Sequence, residues 1–361
     1  MKQLFIFWQI IPSIHESSFI RNLADRHEVI FVAEQAVCKK RIKSGWHIPD
    51  LGKTKLIISP DEEHICTLLS IANAVHIVSS IRANKISETI FDYAVKRKIK
   101  MGVLCEQVKL NKLKDKLRYL KYIYLRLRYK KYIDFILATG NQARKFFEFT
   151  GFGKNKIFDW AYFTEQSKYF VPETKNEKTK LFFVGRIDIR KNILSLVDVC
   201  KKLSEQIEVL TIVGGGPLES DLLEIIKDSR CKYLGHQPNE EVNRIMCESD
   251  LLILPSIFDG WGAVVNEALA CGTPVLVSDK CGSLSLINET RGRVFSIKKN
   301  NMETILRSFL KELPYSTEKR REIREWALKN ISGEAAANYF EQIIEYVTRK
   351  TVDKPVAPWL Q

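Results

Sequence analysis

The stretch Asp250 to Asp279, DLLILPSIFDGWGAVVNEALACGTPVLVSD, leaves the chain few folds to choose from. Leu251-Leu252-Ile253-Leu254 is apolar on both faces, as a buried strand is. Gly260-Trp261-Gly262 is a turn, AVVNEALA is a short helix closed by Gly272, and PVLVSD is a second strand. A strand, a crossover helix and a second strand in so few residues imply a parallel sheet with helices on its faces. The loop falls at the carboxyl end of its strand, where doubly wound sheets bind ligands. Free N–H groups at the start of the helix there suit an anion such as a diphosphate. Asp259 precedes the helix and Glu267 lies about one turn inside it, so two carboxylates are placed to accept hydrogen bonds from hydroxyls on either side of that anion. The plainer reading is an acid complementing the helix dipole and a solvated Glu.

The sequence upstream repeats the pattern. LFFVGRIDIRKNILSLVDVCKKL, residues 181–203, reads as a strand ending at Gly185, a loop, and a helix opening near Asn192. Arg186 and Lys191 flank that turn, and a guanidinium fork with an ammonium point charge suits a diphosphate leaving group; two surface cations near a turn are the alternative. VLTIVGGGPLESDLLEII then runs a strand into Gly214-Gly215-Gly216-Pro217, where backbone can approach a ligand closely. The triple glycine is neither a P-loop, since no GK[ST] follows, nor a GxGxxG dinucleotide site.

Taken in order, GRIDIRKN, VGGGP, YLGHQPNEEV and FDGWGAVVNEALACGTPVLVSD resemble the C-terminal half of family 4 glycosyltransferases, of the glycosyl transferases group 1, which are retaining, nucleotide-sugar-dependent enzymes of GT-B fold. The resemblance covers residues 178–345 and is thin before them. It implies a fold of class α/β: two Rossmann-like doubly wound parallel-sheet domains facing a cleft (GT-B). It implies that Arg186 and Lys191 bind the donor diphosphate. Asp259 and Glu267 then stand for the family's E-x7-E pair, the first contacting the transferred sugar and the second the ribose; Asp259 is one methylene shorter than the usual Glu. Backbone around Gly215, Gly260, Trp261 and Gly262 would cradle phosphate, and His236, between Gly235 and Gln237, would lie by the nucleobase. The donor would be a UDP- or GDP-sugar. There is no D-x-D, so no metal and no cofactor is expected; Arg186, Lys191 and the helix N-terminus would stabilise the departing nucleoside diphosphate. Front-face attack by the acceptor hydroxyl requires no covalent nucleophile, and domain closure would exclude water.

The first half reads as further strands and helices: QLFIFWQII, HEVIFVAEQ, KLIIS, AVHIVSS, KMGVLCE and IDFILAT as strands, with HESSFIRNLADR as a helix. The opening MKQLFIFWQIIPSI has one Lys and a strand-like period, and is taken as a core strand rather than a secretory signal. No apolar run is long enough to span a bilayer. The eight cysteines, at 38, 66, 105, 200, 231, 247, 271 and 281, show no C-x-x-C pairing and read as reduced core residues, as in a cytoplasmic protein. With 361 residues, 45% of them hydrophobic, the chain can build two cores. The expected domains are 1–173, binding the acceptor, and 174–345, binding the nucleotide-sugar, with the boundary in the polar PETKNEKTK (172–180). SGEAAANYFEQIIEYVTRK is an amphipathic helix that in such folds crosses back to the first domain; 346–361 is divided off as a C-terminal tail, and its final TVDKPVAPWLQ reads as a loose end whose Trp359 and Leu360 could dock on a partner or a bilayer.

Charge is concentrated. Residues 109–132, KLNKLKDKLRYLKYIYLRLRYKKY, hold ten Lys/Arg against Asp115 alone, a balance of +9 within a net +14, with five interleaved tyrosines. Such a helix suits an anionic bilayer; a solvated helix packed through its Tyr and Leu, or an RNA-binding face, are the alternatives. No recognised nucleic-acid motif accompanies it, so no nucleic acid is expected. Membrane contact fits a lipid-linked oligosaccharide acceptor, as in O-antigen, capsule or lipopolysaccharide synthesis, at the inner face of the cytoplasmic membrane. On the acceptor side, many members of the family have a His after the strand represented here by MGVLCEQ, where this chain shows Glu106 and Gln107 instead. Glu106, at a strand end, is a candidate for the acceptor hydroxyl or a capping charge. His15 and Glu16 are comparable candidates in the first strand-to-helix loop, which lacks the family's Gly-Gly, and His76 inside AVHIVSS reads as a core histidine. Two other classes stay open: a catalytically weak homologue acting as partner or scaffold, and a basic nucleic-acid binder.

Overall fold

The computed structural model of the chain describes residues 2–37, 48–106, 113–165, 167–169, 178–227, 229–349 and 353–361, with backbone alone for residues 113–116. Cys38, Gln107, residues 109–112 of the basic stretch and residues 172–177 of the expected linker lie outside them. The chain divides into two compact units, Met1–Glu165 with Ile331–Gln361, and Gln166–Asn330.

The first unit is a seven-stranded sheet in the order β3-β2-β1-β4-β5-β6-β7. Its strands are β1 Leu4–Gln9, β2 Glu28–Ala33, β3 Lys55–Ile58, β4 Val75–Ser79, β5 Met101–Glu106, β6 Ile133–Thr139 and β7 Ile157–Trp160. Every pair is parallel, so crossovers carry helices such as Ser17–Ala24, Lys85–Arg97 and Leu113–Tyr129. β7 was not anticipated: IFDW is only four residues and follows a three-residue 3-10 turn, too short to leave a period. Helix starts follow local chemistry. Asn84 and Ser87 form a reciprocal capping box at Lys85–Arg97, and Asp61 accepts from the His64 amide at Glu62–Leu69.

The second unit is a six-stranded parallel sheet, β10-β9-β8-β11-β12-β13. It comprises β8 Thr179–Val184, β9 Ile207–Val213, β10 Cys231–Tyr233, β11 Leu251–Leu254, β12 Val275–Ser278 and β13 Gly292–Phe295. In both sheets the order of strand addition reverses beside the first strand, at β1/β4 and at β8/β11, the switch point at which a doubly wound sheet opens a crevice at its carboxyl edge. Behind that edge Arg320, 1% exposed, donates to the carbonyls of Gly272 and Cys247 and to Thr273 Oγ1, with Asp250 4.0 Å away. A buried guanidinium so tied fastens the helix Thr317–Ile331 to the back of the sheet.

The domain boundaries differ from the expected 174–345 and 346–361. The helix Gly333–Arg349 packs in the first unit, its Phe340 ring among Phe5, Phe7, Phe19, Phe135 and Trp160. Its apolar stripe Ala336, Tyr339, Phe340 and Ile343 follows a helical period and needs a sheet face to cover it. Gly333 permits the approach, since a Cβ there would stand 2.3 Å from Ser18 Oγ. The end of the chain is not a loose tail: Trp359 is 5% exposed, with its ring 5.9 Å from Phe163 and 6.0 Å from Tyr339. Only Leu360 of that pair is exposed.

The basic helix Leu113–Tyr129 has two apolar stripes. Tyr122, Leu125 and Tyr129 are buried in the core of the first unit. Leu117, Leu120, Tyr124 and Leu127, spaced three, four and three residues apart, are 57–68% exposed. Packing therefore accounts for one stripe and leaves the other uncovered. Of the seven cysteines described, all are free, and five are buried. No helix among the described residues is long and apolar enough to cross a membrane.

Candidate functional site

Three loops at the carboxyl edge of the second sheet are knitted together by main chain. Ile187 N donates to Gly215 O (3.1 Å), Leu218 N to Ile187 O (3.1 Å) and Gly214 N to Gly235 O (2.8 Å), while Tyr233 Oη donates to Gly214 O (2.8 Å). The glycines follow from this closeness. A Cβ on Gly214, whose φ is +128°, would lie 1.9 Å from Gly185 O, and one on Gly216 would lie 2.3 Å from Ile187 O. A Cβ on Gly215 would meet His236 Nε2 at 2.6 Å, so the sequence-predicted Gly215 and His236 are indeed neighbours. The triple glycine is in the first place a way for backbone to touch backbone.

The predicted charged residues converge on the switch point. Asp188 caps the 3-10 turn Ile189–Lys191 by accepting from the Lys191 amide (3.0 Å), which fixes the root of the Lys191 side chain. From there Lys191 Nζ reaches Asp259 Oδ2 at 2.6 Å, both side chains only 11% exposed. Arg186, 47% exposed, reaches Asp188 Oδ2 at 3.3 Å through Nε. The cation and the acid expected to serve different parts of one ligand thus hold each other here. That pairing was not foreseen, because the two are 68 residues apart in sequence and meet only through strand order.

Asp259 is itself held by its amide donating to Lys280 O and by a bridge to Cys281. The helix Ala263–Ala270 begins at Gly262, in the left-handed region at φ +92°, with no side-chain cap. Its first-turn N–H groups therefore owe nothing to a capping side chain. Trp261 is 1% exposed and donates from Nε1 to Asn266 Oδ1 at 2.6 Å, which makes its side chain an anchor for the turn rather than a ligand surface. Gly260 O sits 1.9 Å from where a Cβ on Gly282 would be, and Ser283 N donates to Trp261 O, so the loop after β12 braces the turn from behind. Ser283, which no sequence motif singles out, is fully buried with no hydrogen-bond partner for its hydroxyl among the described residues. One turn along the helix, burial pushes the Glu267 carboxyl up to about 7. No group of three or more His, Cys, Asp or Glu that could hold a metal occurs among the described residues.

The remaining predicted residues lie in the first unit. His76 is a core residue: its Nδ1 accepts from Trp8 Nε1 at 3.2 Å, and burial lowers its pKa to about 4, so it stays neutral. His15 and Glu106, from different loops, are brought together by Tyr162, whose ring stacks on His15 (centroids 5.1 Å, planes at 19°) and whose hydroxyl donates to Glu106 Oε1 at 3.1 Å. Glu16, beside His15, is pushed up to about 7 by burial. Tyr162 follows the unforeseen β7, which is why sequence reasoning missed it.

Comparison with known proteins agrees with this architecture. Residues 165–329 match the family described as Glycosyl transferases group 1. The chain is 27% identical over 233 residues to an uncharacterised 41.2 kDa protein in the cps region of Klebsiella pneumoniae, covering 62% of this chain and 64% of that one. It is 30% identical over 124 residues to the amylovoran biosynthesis glycosyltransferase AmsK of Erwinia amylovora, covering 31% and 30%. The chain thus spans less than two thirds of the length of each of these relatives. The crystal structure of Anabaena HepE in complex with UDP superposes with a TM-score of 0.70 at 12% identity, over 96% of this chain and 100% of that one. Residues 165–329 therefore carry a glycosyl transferases group 1 module, in a chain with the two Rossmann-like parallel-sheet domains of the GT-B fold.

Proposed function

We propose that the chain is a retaining, metal-independent glycosyltransferase of family 4. It moves a sugar from a nucleoside-diphosphate sugar to a hydroxyl of a lipid-linked glycan in bacterial cell-surface polysaccharide synthesis. One observation carries the reading: Lys191 crosses the switch point to Asp259, beside a helix N-terminus without a side-chain cap and one turn before Glu267. A diphosphate entering there exchanges the carboxylate partner of Lys191 for phosphate oxygens, with Arg186 and the helix amides adding positive field. Asp259, released, is left to accept from a sugar hydroxyl, and Glu267 from the ribose. The leaving phosphate takes the proton of the attacking hydroxyl. Supporting the donor class, HepE, of the same fold, binds UDP; supporting the pathway, relatives belong to a cps region and to amylovoran biosynthesis.

Melting the protein with UDP, GDP and ADP in excess, with and without EDTA, tests this. One nucleotide at about 100 times its Kd adds roughly 2.7 kcal/mol and raises the melting temperature by roughly 5 °C or more. Persistence of that shift in EDTA supports metal independence. Absence of any shift sinks the donor site and leaves the partner or scaffold reading.

The same reading puts the chain on the inner face of the cytoplasmic membrane, peripherally, through the helix Leu113–Tyr129. Its exposed stripe Leu117, Leu120, Tyr124 and Leu127 lies among exposed Arg118, Lys121 and Arg128, with Lys130 and Lys131 just beyond. Apolar side chains entering the headgroup boundary while cations meet anionic lipid is the chemistry of an interfacial helix. Leu120→Glu with Leu127→Glu is expected to release the protein from vesicles of phosphatidylglycerol and leave its melting temperature unchanged. Retained vesicle binding would assign the stripe another role.

A further inference from the structure

We propose that Tyr162 is the positioning residue of a sugar-binding subsite at the carboxyl edge of the first sheet, fixed by its hydrogen bond to Glu106 and its stack on His15. The inference rests on the glycosyl-transfer reading and gives it an acceptor-side site.

Three strand ends build the subsite. His15 lies in the loop after β1, Glu106 is the last residue of β5, and Tyr162 follows β7 by two residues. Parallel register sets Glu106 beside Thr139, the last residue of β6, and Thr139 beside Trp160, the last of β7. The Phe163 amide donates to His15 O at 2.9 Å, so the segment after β7 is drawn along the sheet edge toward the loop after β1. That main-chain bond is what brings the two rings face to face. The hydroxyl of Tyr162 then points to Glu106.

The chemistry of the cluster suits a pyranose. A carboxylate at a strand end accepts from sugar hydroxyls, an imidazole can donate or accept, and a flat aromatic pair gives the C–H face of a sugar ring an apolar surface. Both rings are partly exposed, and Glu106 is exposed. A second observation points the same way. Thr139, 1% exposed and in register with Glu106, has a hydroxyl with no hydrogen-bond partner among the described residues, and so does the side-chain amide of Gln9, 6% exposed, at the end of β1. Buried polar atoms are normally satisfied, so the Thr139 hydroxyl, on the strand next to Glu106, marks a place where something polar belongs, while Gln9 lies three strands away on β1. Tyr162 acts through its neighbours: without its hydroxyl Glu106 loses the 3.1 Å hydrogen bond from it, and without its ring His15 loses that stack.

The test uses the full chain and octyl β-glucoside, octyl β-galactoside, octyl α-mannoside and octyl N-acetyl-β-glucosaminide as probes, with binding read by saturation-transfer NMR. The expected result is that at least one glycoside binds, and that Tyr162→Phe and Glu106→Gln each weaken it five- to tenfold. Nucleotide-induced melting shifts should stay at the wild-type value in both variants, since they report the second unit. With a transferring pair in hand, the same variants raise KM for the glycoside without changing KM for the nucleotide-sugar. Glycoside binding that is unaltered in both variants, or absent for all four probes, overturns the subsite while a nucleotide shift leaves the donor reading standing. A wild-type protein that shifts with no nucleotide overturns the donor reading itself.

Discussion

The two sheets share a winding order, yet their carboxyl edges are built from different material. In the second unit the edge is largely main chain: glycines at 214 and 216 let loops press against one another, and Lys191 and Asp259 close across them. In the first unit the edge is side chain: an imidazole, a phenol and a carboxylate meet through a ring stack and one hydrogen bond. A surface made of backbone offers N–H groups that suit an anion such as a diphosphate, and its close loop contacts tolerate little change. A surface made of side chains can be re-cut for each partner at small cost to the fold. The contrast matches the division of labour proposed here, with a common donor chemistry on one sheet and an acceptor particular to this chain on the other.

Gly214→Ala breaks the comparison at its strongest point. The new methyl would overlap Gly185 O at a φ suited to glycine, and the second unit is expected to lose about 4 kcal/mol or more while the first keeps its stability. Two calorimetric transitions, with only one moving, would show it; a variant as stable as the parent would mean the loops have room to part. Lys191→Met comes next. Removing the cation leaves Asp259 without that partner and the diphosphate without its ammonium, so transfer and nucleotide binding should each fall by about a hundredfold, near 2.7 kcal/mol. A loss below about threefold would separate the ion pair from donor binding.

Glu267→Gln sharpens the comparison by a smaller effect. The folded pKa of Glu267, about 7, lies above its ordinary 4.5. Between those values the folded protein keeps a proton that the unfolded chain releases, so stability falls as pH rises through this window, and the full penalty applies above 7. The amide removes it. The variant should match the parent near pH 4 and melt higher above pH 7, by roughly 5 °C, while losing transfer. Equal melting curves at pH 8 would mean that the carboxylate is solvated there.

Legibility in sequence followed the same division. The strand-loop-helix-strand run around Asp259 and Glu267, and the glycines after β9, were readable because loop geometry restricts which residues can occupy them. The pairing of Lys191 with Asp259 was hidden, since strand order alone decides that β8 and β11 are neighbours. Glu106 and His15 could be nominated singly from their places at strand ends. Tyr162 could not, because β7 is short and nothing in the local pattern announces a ring that will stack on a residue 147 positions earlier. The return of Gly333–Arg349 to the first unit was foreseen as a tendency of the fold, yet the boundary was set at 345, for an amphipathic period shows that a face will be buried and not against which sheet.

That return also governs timing. On a ribosome, residues 1–165 emerge with Phe5, Phe7, Phe19, Phe135 and Trp160 lacking the ring of Phe340, while Gln166–Asn330 is made and can close on itself as one continuous segment. The second unit to be started is thus the first able to be finished. Until residue 340 is out, the half-made protein presents an aromatic surface to its surroundings, and the helix Gly333–Arg349 acts as the latch on the first unit, begun long before it.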